Sequence, residues 1–192
     1  MPSSYPDTIT TVAKAVQALA PASVLDIGCG FGKYGMLCRE YLDIWWLRYR
    51  RQEWKVRIDA VEAFELYLTP VHWYIYNNIY IGDIRELVNK LDNYNVVLMF
   101  DVIEHFEKQE GLELLEKIKA KCGNILLSTP SIKIVTDDAF GNPYQEHKSF
   151  WKPEDFGNDP GILETEPLLL VCLKGYAYNQ VAKPKVKRGK RN

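Results

Sequence analysis

The feature that most constrains the fold is a glycine cluster placed directly between a strand and a helix. The run SVLDI (23–27) has the β-branched, apolar character of a buried strand. One face of the helix that follows is marked by Tyr34, Leu37, Cys38 and Tyr41. The junction itself carries Gly28, Gly30, Gly32 and Gly35. Because glycines there let the backbone turn tightly and approach a ligand closely, the junction predicts a binding loop at a strand end.

Short apolar runs alternate with helical patterns along the rest of the chain. The runs are VRIDAV (56–61), IYI (79–81), VVLMF (96–100) and NILLS (124–128). Residues 7–20 and EGLELLEKIKAKC (110–122) have helical periodicity, and Gly123 follows the second helix in the usual position beyond a helix end. LETEPLLLVCLKG (163–175) predicts one or two closing strands.

This order predicts an α/β fold of the Rossmann-like type. Near-continuous apolar strands alternating with helices are typical of a doubly wound, mostly parallel sheet with both faces covered. The closing segment predicts an antiparallel C-terminal edge strand or hairpin. At 192 residues the chain has room for one ordinary domain, which we place at residues 1–182.

The C-terminal segment differs sharply in charge from the rest of the chain. Residues 183–192, KPKVKRGKRN, hold six Lys and Arg and no acid, which predicts a disordered tail. Residues 1–182 are acidic, with 18 Lys and Arg against 25 Asp and Glu. The tail is interpreted either as a solubilising end or as a non-specific arm for nucleic acid or another anionic surface.

Other sequence features limit where in the cell the protein is expected and whether it is expected to bind a metal. The longest apolar runs have five or six residues, against about 20 for a membrane span, so no membrane partner is expected. The start MPSSYPD lacks a signal peptide's pattern, which favours a cytoplasmic protein. The four cysteines lack CxxC spacing and the three histidines lack HxxxH or HExxH spacing, so no metal site is predicted.

Charge distinguishes between two ligands for the glycine loop. Residues 30–35 also match GxGxxG, but a dinucleotide's pyrophosphate disfavours nearby acids. Asp26 lies within the first strand and Asp101 ends the fourth, and both strand ends are expected to face one crevice. Two carboxylates suit the sulfonium and ammonium groups of S-adenosylmethionine (SAM). Glu62, after the second strand, can accept ribose hydroxyls, and Asp83, after the third, can accept the adenine amino group beside Ile84.

These motifs resemble those of class I SAM-dependent methyltransferases of the ubiquinone- and menaquinone-type small-molecule group. The resemblance covers about residues 22–175 and rests on DIGCGFG (26–32), AVEAF (60–64), GDIREL (82–87) and FDVIEHF (100–106). It implies that the methionine part of SAM is held by Asp26, Gly28 and Gly30. It further implies that Glu62 and the adjacent Ala63 contact the ribose, and that Asp83 and Ile84 contact the adenine. Asp101 and Val102 would flank the methionine moiety and the methyl group.

The acceptor side is predicted less sharply. GNPYQEHKSFW (141–151) resembles a loop that follows the fifth strand in many members, where it is expected to cover the active site. His105 and His147 are the candidate general bases for a hydroxyl acceptor, because histidine changes charge near neutrality. Tyr144 and Glu104 are weaker candidates for orienting groups. The aromatic and basic insert DIWWLRYRRQEWKVR (43–57) predicts a lid or substrate wall, with nucleic-acid contact or an oligomer interface as alternatives.

Several functions therefore remain open. The preferred one is methylation of a hydroxyl, carboxyl or amine on a small molecule or glycan precursor. The first alternative is an RNA or protein methyltransferase that uses the insert and the basic tail. A non-catalytic SAM-binding module is the second, and a dehydrogenase survives only through the literal GxGxxG match.

Overall fold

The structure is a computed structural model that describes residues 6–133, 141–158 and 160–177. The predicted basic tail, 183–192, lies outside the described residues. The strands are β1 (Ser23–Ile27), β2 (Arg57–Glu62), β3 (Ile79–Ile81), β4 (Tyr94–Phe100), β5 (Cys122–Pro130), β6 (Gly161–Glu164) and β7 (Leu168–Lys174). The α-helices are α1 (Ile9–Leu19), α2 (Lys33–Leu42), α3 (Pro70–Ile75), α4 (Ile84–Leu87) and α5 (Lys108–Lys119).

The strands form a single sheet in the order β3-β2-β1-β4-β5-β7-β6. The first five strands are mutually parallel, and β7 runs antiparallel to both β5 and β6. The strand order reverses between β1 and β4, which is where open α/β sheets bind ligands at the carboxyl ends of their strands. The predicted fold class and its antiparallel hairpin are confirmed.

Each face of the sheet has its own hydrophobic core. Because side chains alternate along a strand, Leu25 and Ile27 of β1 join the core under α4 and α5, whereas Val24 joins the core under α1, α2 and α3. The same alternation divides β4, with Val97 and Met99 on one face and Leu98 on the other. The doubly wound arrangement therefore follows directly from the strand pattern.

One predicted helix end is wrong. Helix α5 ends at Lys119 with Ala120 as its C-cap in right-handed conformation, so no left-handed glycine closes it. Gly123 instead lies inside β5, and its carbonyl accepts a hydrogen bond from the amide of Gly175. The chain passes from helix to strand within two residues, which leaves no room for a glycine cap.

The insert 43–57 packs at the amino ends of the strands, between the end of α2 and the start of β2. Its anchor is Asp43, which is 0% exposed and bonds to Arg39 at 2.6 Å and Arg48 at 2.8 Å. The Arg39 guanidinium also lies 4.3 Å from the ring of Trp54. The insert is therefore a structural element at the end of the sheet where the parallel strands begin, opposite their carboxyl ends.

Among the described residues, no helix combines the length and the apolar character that crossing a membrane requires.

Candidate functional site

A cleft of about 1220 Å³, counted to its open mouth, lies at the carboxyl ends of the parallel strands. All but two of the site residues predicted from the sequence line it: Gly28, Gly30, Glu62, Ala63, Asp83, Ile84, Asp101, Val102, His105, Tyr144 and His147. The exceptions are Asp26 and Glu104. No residue of the insert 43–57 lines the cleft, so the prediction of a lid or substrate wall there is wrong.

The glycine loop follows β1 and is fixed by close contacts. Gly28 has a φ of +68°, and a Cβ atom there would lie 2.5 Å from Cγ2 of Val102. Its amide donates a hydrogen bond of 2.9 Å to the carbonyl of Val61. Only glycine fits this position, because a side chain would be strained by the backbone and would collide with the loop after β4.

Glu62 at the end of β2 holds this loop. One carboxylate oxygen accepts from the Gly30 amide at 2.8 Å, and the other accepts from the Phe64 amide at 2.9 Å. Burial raises the pKa of the carboxyl group, and these amide hydrogen bonds oppose that rise. A carboxylate accepts about four hydrogen bonds, so the lone pairs that remain can bind ligand hydroxyls.

Asp26 faces away from the cleft, into the core under α2 and α3. Its carboxyl group accepts a 2.6 Å hydrogen bond from the hydroxyl of Tyr76. Gly35 makes room for this pair, since a Cβ at Gly35 would lie 2.2 Å from the Tyr76 hydroxyl oxygen. Burial raises the pKa of Asp26 to about 7, although the Tyr76 hydrogen bond opposes the rise. Asp26 therefore lies beneath the glycine loop and does not line the cleft.

Asp83 caps α4 at the rim of the cleft. It accepts from the backbone amide of Arg85 at 2.8 Å and forms a 2.6 Å ion pair with the guanidinium of the same residue. Burial tends to raise the pKa of this carboxyl group, but the hydrogen bonds from Arg85 outweigh it and lower the pKa. The adjacent Ile84 is 4% exposed and gives the cleft an apolar surface.

Asp101 follows β4 with a φ of +53°, a left-handed conformation that is uncommon for residues other than glycine and that aspartate adopts more readily than most. Ser128 holds it there: the Ser128 hydroxyl donates to the carboxylate at 2.8 Å, and the Asp101 amide donates to the Ser128 carbonyl at 3.0 Å. This turn directs the chain across the cleft floor toward Val102 and His105.

The two predicted histidines meet in the cleft. The rings of His105 and His147 lie edge to face with centroids 5.0 Å apart. Nδ1 of His105 lies 3.0 Å from the Glu146 carbonyl oxygen, which can only accept, so in the neutral ring Nδ1 carries the proton. Its Nε2 then keeps a lone pair. Burial lowers the pKa of His105, which favours this neutral form.

Glu104, given only a weak role by the sequence, connects the two histidines. Its carbonyl accepts from the amides of Lys148 and Ser149 at 2.8 and 3.1 Å, which fixes the loop that carries His147. Its side chain is 1% exposed, and neither carboxyl oxygen meets a hydrogen-bond partner among the described residues. Burial raises the pKa of this carboxyl group well above its ordinary value, the nearby Asp101 carboxylate adds to the rise, and the Thr129 side chain opposes it.

Comparison with known families identifies the type of enzyme. Residues 2–159 match the family model of a methyltransferase domain. The chain belongs to this methyltransferase family. The resemblance to class I methyltransferases stated from the sequence is confirmed. No curated protein matches the chain.

Solved structures share the fold of this methyltransferase. The N-terminal domain of EvdMO1, determined in the presence of S-adenosylhomocysteine and D-fucose, aligns with a TM-score of 0.60 at 16% identity, over 90% of this chain and 84% of that one. An O-methyltransferase family protein from Burkholderia thailandensis gives a TM-score of 0.57 at 13% identity, over 88% and 55%. Mitomycin 7-O-methyltransferase MmcR gives 0.56 at 12% identity, over 88% and 54%. The methyltransferase chain spans about half the length of the last two.

The segment 141–156 of the methyltransferase is anchored by Trp151, which the sequence reading passed over. Trp151 is 1% exposed and stacks on Phe156 at 5.3 Å. It packs against α5 at Gly111, where a Cβ would lie 2.6 Å from the indole, and Lys108 Nζ lies 3.9 Å from the indole centroid. A glycine in the middle of the α5 helical pattern was the available sequence signal, because such a glycine commonly has a packing reason.

The same segment is fastened to the opposite wall by Tyr67. The side-chain amide of Asn142 donates a 3.0 Å hydrogen bond to the Tyr67 hydroxyl, and both residues are buried. The Tyr67 ring lies 5.1 Å from that of Phe31 in the glycine loop. Residues 142–145, 147 and 148 of this segment line the cleft, and the covering role that the sequence predicts for the loop stays a prediction.

Proposed function

We propose that the chain transfers the methyl group of SAM to a hydroxyl oxygen of a small molecule. The observation that carries the proposal is that one cleft holds both acids and a histidine pair. Glu62, Asp83 and Asp101 line it, and so do His105 and His147, whose ring centroids lie 5.0 Å apart. We assign the acids to the half that binds the cationic methyl donor, the donor half, and the histidines to the half that binds a hydroxyl that must lose a proton, the acceptor half.

The donor half is assigned as follows. The backbone at Gly28 and Gly30, with Asp101 and Val102 opposite, borders the methionine part. Glu62 has the lone pairs to accept ribose hydroxyls, with Ala63 beside it. Ile84 offers an apolar surface for adenine, and Asp83 an acceptor for its amino group. Asp26 supports the loop from below and has no direct contact in this assignment.

The reaction is an in-line displacement. The acceptor oxygen attacks the methyl carbon, the new C–O bond forms as the C–S bond breaks, and the sulfur keeps the electron pair as S-adenosylhomocysteine. The acceptor hydroxyl must lose its proton, and we assign assistance in that loss to His105 and His147. Such assistance contributes about 10²–10⁴ in rate. The solved neighbours named as O-methyltransferases, and D-fucose with the EvdMO1 domain, support an oxygen acceptor.

Ligand-induced thermal stabilisation tests the donor. At about 100 times its dissociation constant, SAM or S-adenosylhomocysteine should raise Tm by roughly 5–10 °C, and NAD should not. Asp83→Ala should lose the shift. Asp92→Ala is the matched control, because Asp92 also pairs with an arginine, Arg57, but does not line the cleft. A shift with NAD alone would contradict the proposal.

An RNA or protein substrate remains the alternative, through the tail 183–192. The insert gives this alternative less support. The exposed rings of Trp45, Trp46 and Tyr49 lie at the end of the sheet opposite the cleft. Deletion of residues 183–192 separates the two functions. A salt-dependent loss of substrate affinity favours the polymer substrate, and unchanged affinity favours the small molecule.

A further inference from the structure

Three potential metal ligands converge at the cleft. One carboxyl oxygen of Glu104 and one nitrogen each of His105 and His147 all lie within 4.8 Å of one another. His105 and His147 line the cleft, and Glu104 lies behind them at 1% exposure. They come from two segments: the 3₁₀ turn Ile103–His105 after β4, and the loop after β5.

The Glu104 carboxyl group is the observation that points to a ligand. Buried polar groups in proteins almost always have a hydrogen-bond partner, and an unpartnered one calls for an explanation. Here both oxygens lack a partner among the described residues, although the backbone carbonyl of the same residue accepts two amides. A cation bound between the carboxyl group and the imidazoles would satisfy it.

We propose that Glu104, His105 and His147 form a binding site for one divalent transition-metal cation. Two imidazoles and one carboxylate make the ligand set of catalytic Zn²⁺ sites and of the facial triads that bind Fe²⁺. Mg²⁺ and Ca²⁺ prefer sites built from oxygen alone, so they fit this set less well. The hydrogen bond of His105 Nδ1 to the Glu146 carbonyl is the kind of contact that orients metal-binding histidines.

The geometry requires a small adjustment. Ligand atoms around tetrahedral Zn²⁺, at about 2.0–2.1 Å from the metal, lie about 3.3 Å from one another. The three atoms here lie within 4.8 Å, so side-chain rotations that draw them together by about 1.5 Å complete the site. The sequence spacing predicted no metal because Glu104 and His147 are far apart in the chain and meet only through the fold.

The role of the cation rests on the proposed function. A cation held by these three residues would lower the pKa of an acceptor hydroxyl bound to it, and the proton would pass to solvent. His105 and His147 then assist as ligands instead of as bases.

Cobalt binding tests the site without any activity assay. The full chain is stripped with a chelator and titrated with Co²⁺, whose visible absorption reports coordination by protein nitrogen and oxygen. We expect one Co²⁺ per chain, displaced by Zn²⁺ and not by an equal concentration of Mg²⁺. Glu104→Gln and His147→Ala should each weaken binding about tenfold or more. Glu146→Gln is the control, since it removes an exposed acid from the same loop and should leave binding unchanged.

Two results would overturn the site. One is that the unmodified chain shows no saturable Co²⁺ binding. The other is that the Glu104→Gln variant and the His147→Ala variant both bind Co²⁺ as tightly as the unmodified chain. The SAM-induced Tm shift of each variant serves as the folding check, because both positions lie outside the assigned donor half.

The same two measurements, Co²⁺ binding and the SAM-induced Tm shift, separate the metal-site proposal from the proposed function. Cobalt binding without a SAM shift leaves the metal site standing and removes the proposed function, and the reverse result removes only the metal site.

Discussion

The hydroxyl of Tyr76 donates a 2.6 Å hydrogen bond to the carboxyl group of Asp26, which is 2% exposed directly beneath the glycine loop. Burial raises the pKa of Asp26 from 3.8 to about 7. Between those values the folded protein holds a proton that the unfolded chain releases. The contribution of this group to stability is therefore greatest below pH 4 and declines as the pH rises toward 7.

We predict that Asp26→Asn flattens this part of the pH dependence. The amide oxygen of asparagine still accepts the Tyr76 hydrogen bond, but the group no longer titrates. Urea unfolding of both proteins from pH 5 to pH 8 measures the difference, expected to be on the order of a few kcal/mol across the window. Parallel curves for the two proteins would show that Asp26 ionises normally in the folded state.

Gly28→Ala should weaken SAM binding about tenfold or more, since a Cβ 2.5 Å from Val102 must displace the loop that borders the donor. Gly141→Ala is the matched control: Gly141 also has a positive φ, +69°, but nothing lies within 4 Å of an added Cβ. Both variants bear the backbone cost of about 1–2 kcal/mol. Titration calorimetry with SAM distinguishes them, and equal losses would mean that backbone strain alone is responsible.

Trp151→Ala should destabilise the protein by about 3–5 kcal/mol, because it empties a fully buried aromatic site against α5. The substitution should also lower the rate of methyl transfer, since Trp151 anchors the segment that carries His147. Trp45→Ala is the comparison, with a side chain that is 52% exposed and an expected change within about 0.5 kcal/mol. Urea denaturation gives both values; similar values for the two tryptophans would argue against the anchoring role.

Asp43→Asn should cost about 3–5 kcal/mol, because it leaves the guanidinium of Arg39, 1% exposed, without its buried counter-charge. Asp92→Asn breaks an ion pair with Arg57 whose carboxylate is 67% exposed, and it should cost less than about 1 kcal/mol. Thermal unfolding compares them. SAM affinity should be unchanged in both, and a loss in Asp43→Asn would place the insert nearer to the cleft than the structure does.

The strands and the donor half of the cleft were predictable because both depend on local signals. Apolar runs located β1 to β5, and acids at successive strand ends are brought together by any parallel sheet. Asp26 shows the limit of that reasoning. A residue inside a strand points to one face or the other, and its partner Tyr76, 50 residues away in the chain, decides what it contacts.

The acceptor half depends on contacts that the sequence does not display. The meeting of Glu104 with His147 requires the loop after β5 to fold back over β4, and Trp151 and Tyr67 hold it there. The insert was misread for a related reason. Its aromatic and basic composition is compatible with a lid. However, it lies in the chain between the end of a helix and the start of a strand, which places it at the amino ends of the strands.

The position of β7 between β5 and β6 has a consequence for synthesis on the ribosome. All nine residues of β5 are buried in the finished protein, where β7 covers its outer edge. Translation at roughly 5–20 residues per second leaves that edge unpaired for a few seconds before residues 168–174 emerge. During that interval the nascent chain presents an apolar strand edge, the kind of surface that invites pairing with a neighbouring chain. β7, the last of the described strands to be synthesised, is therefore the one that protects the nascent protein from aggregation.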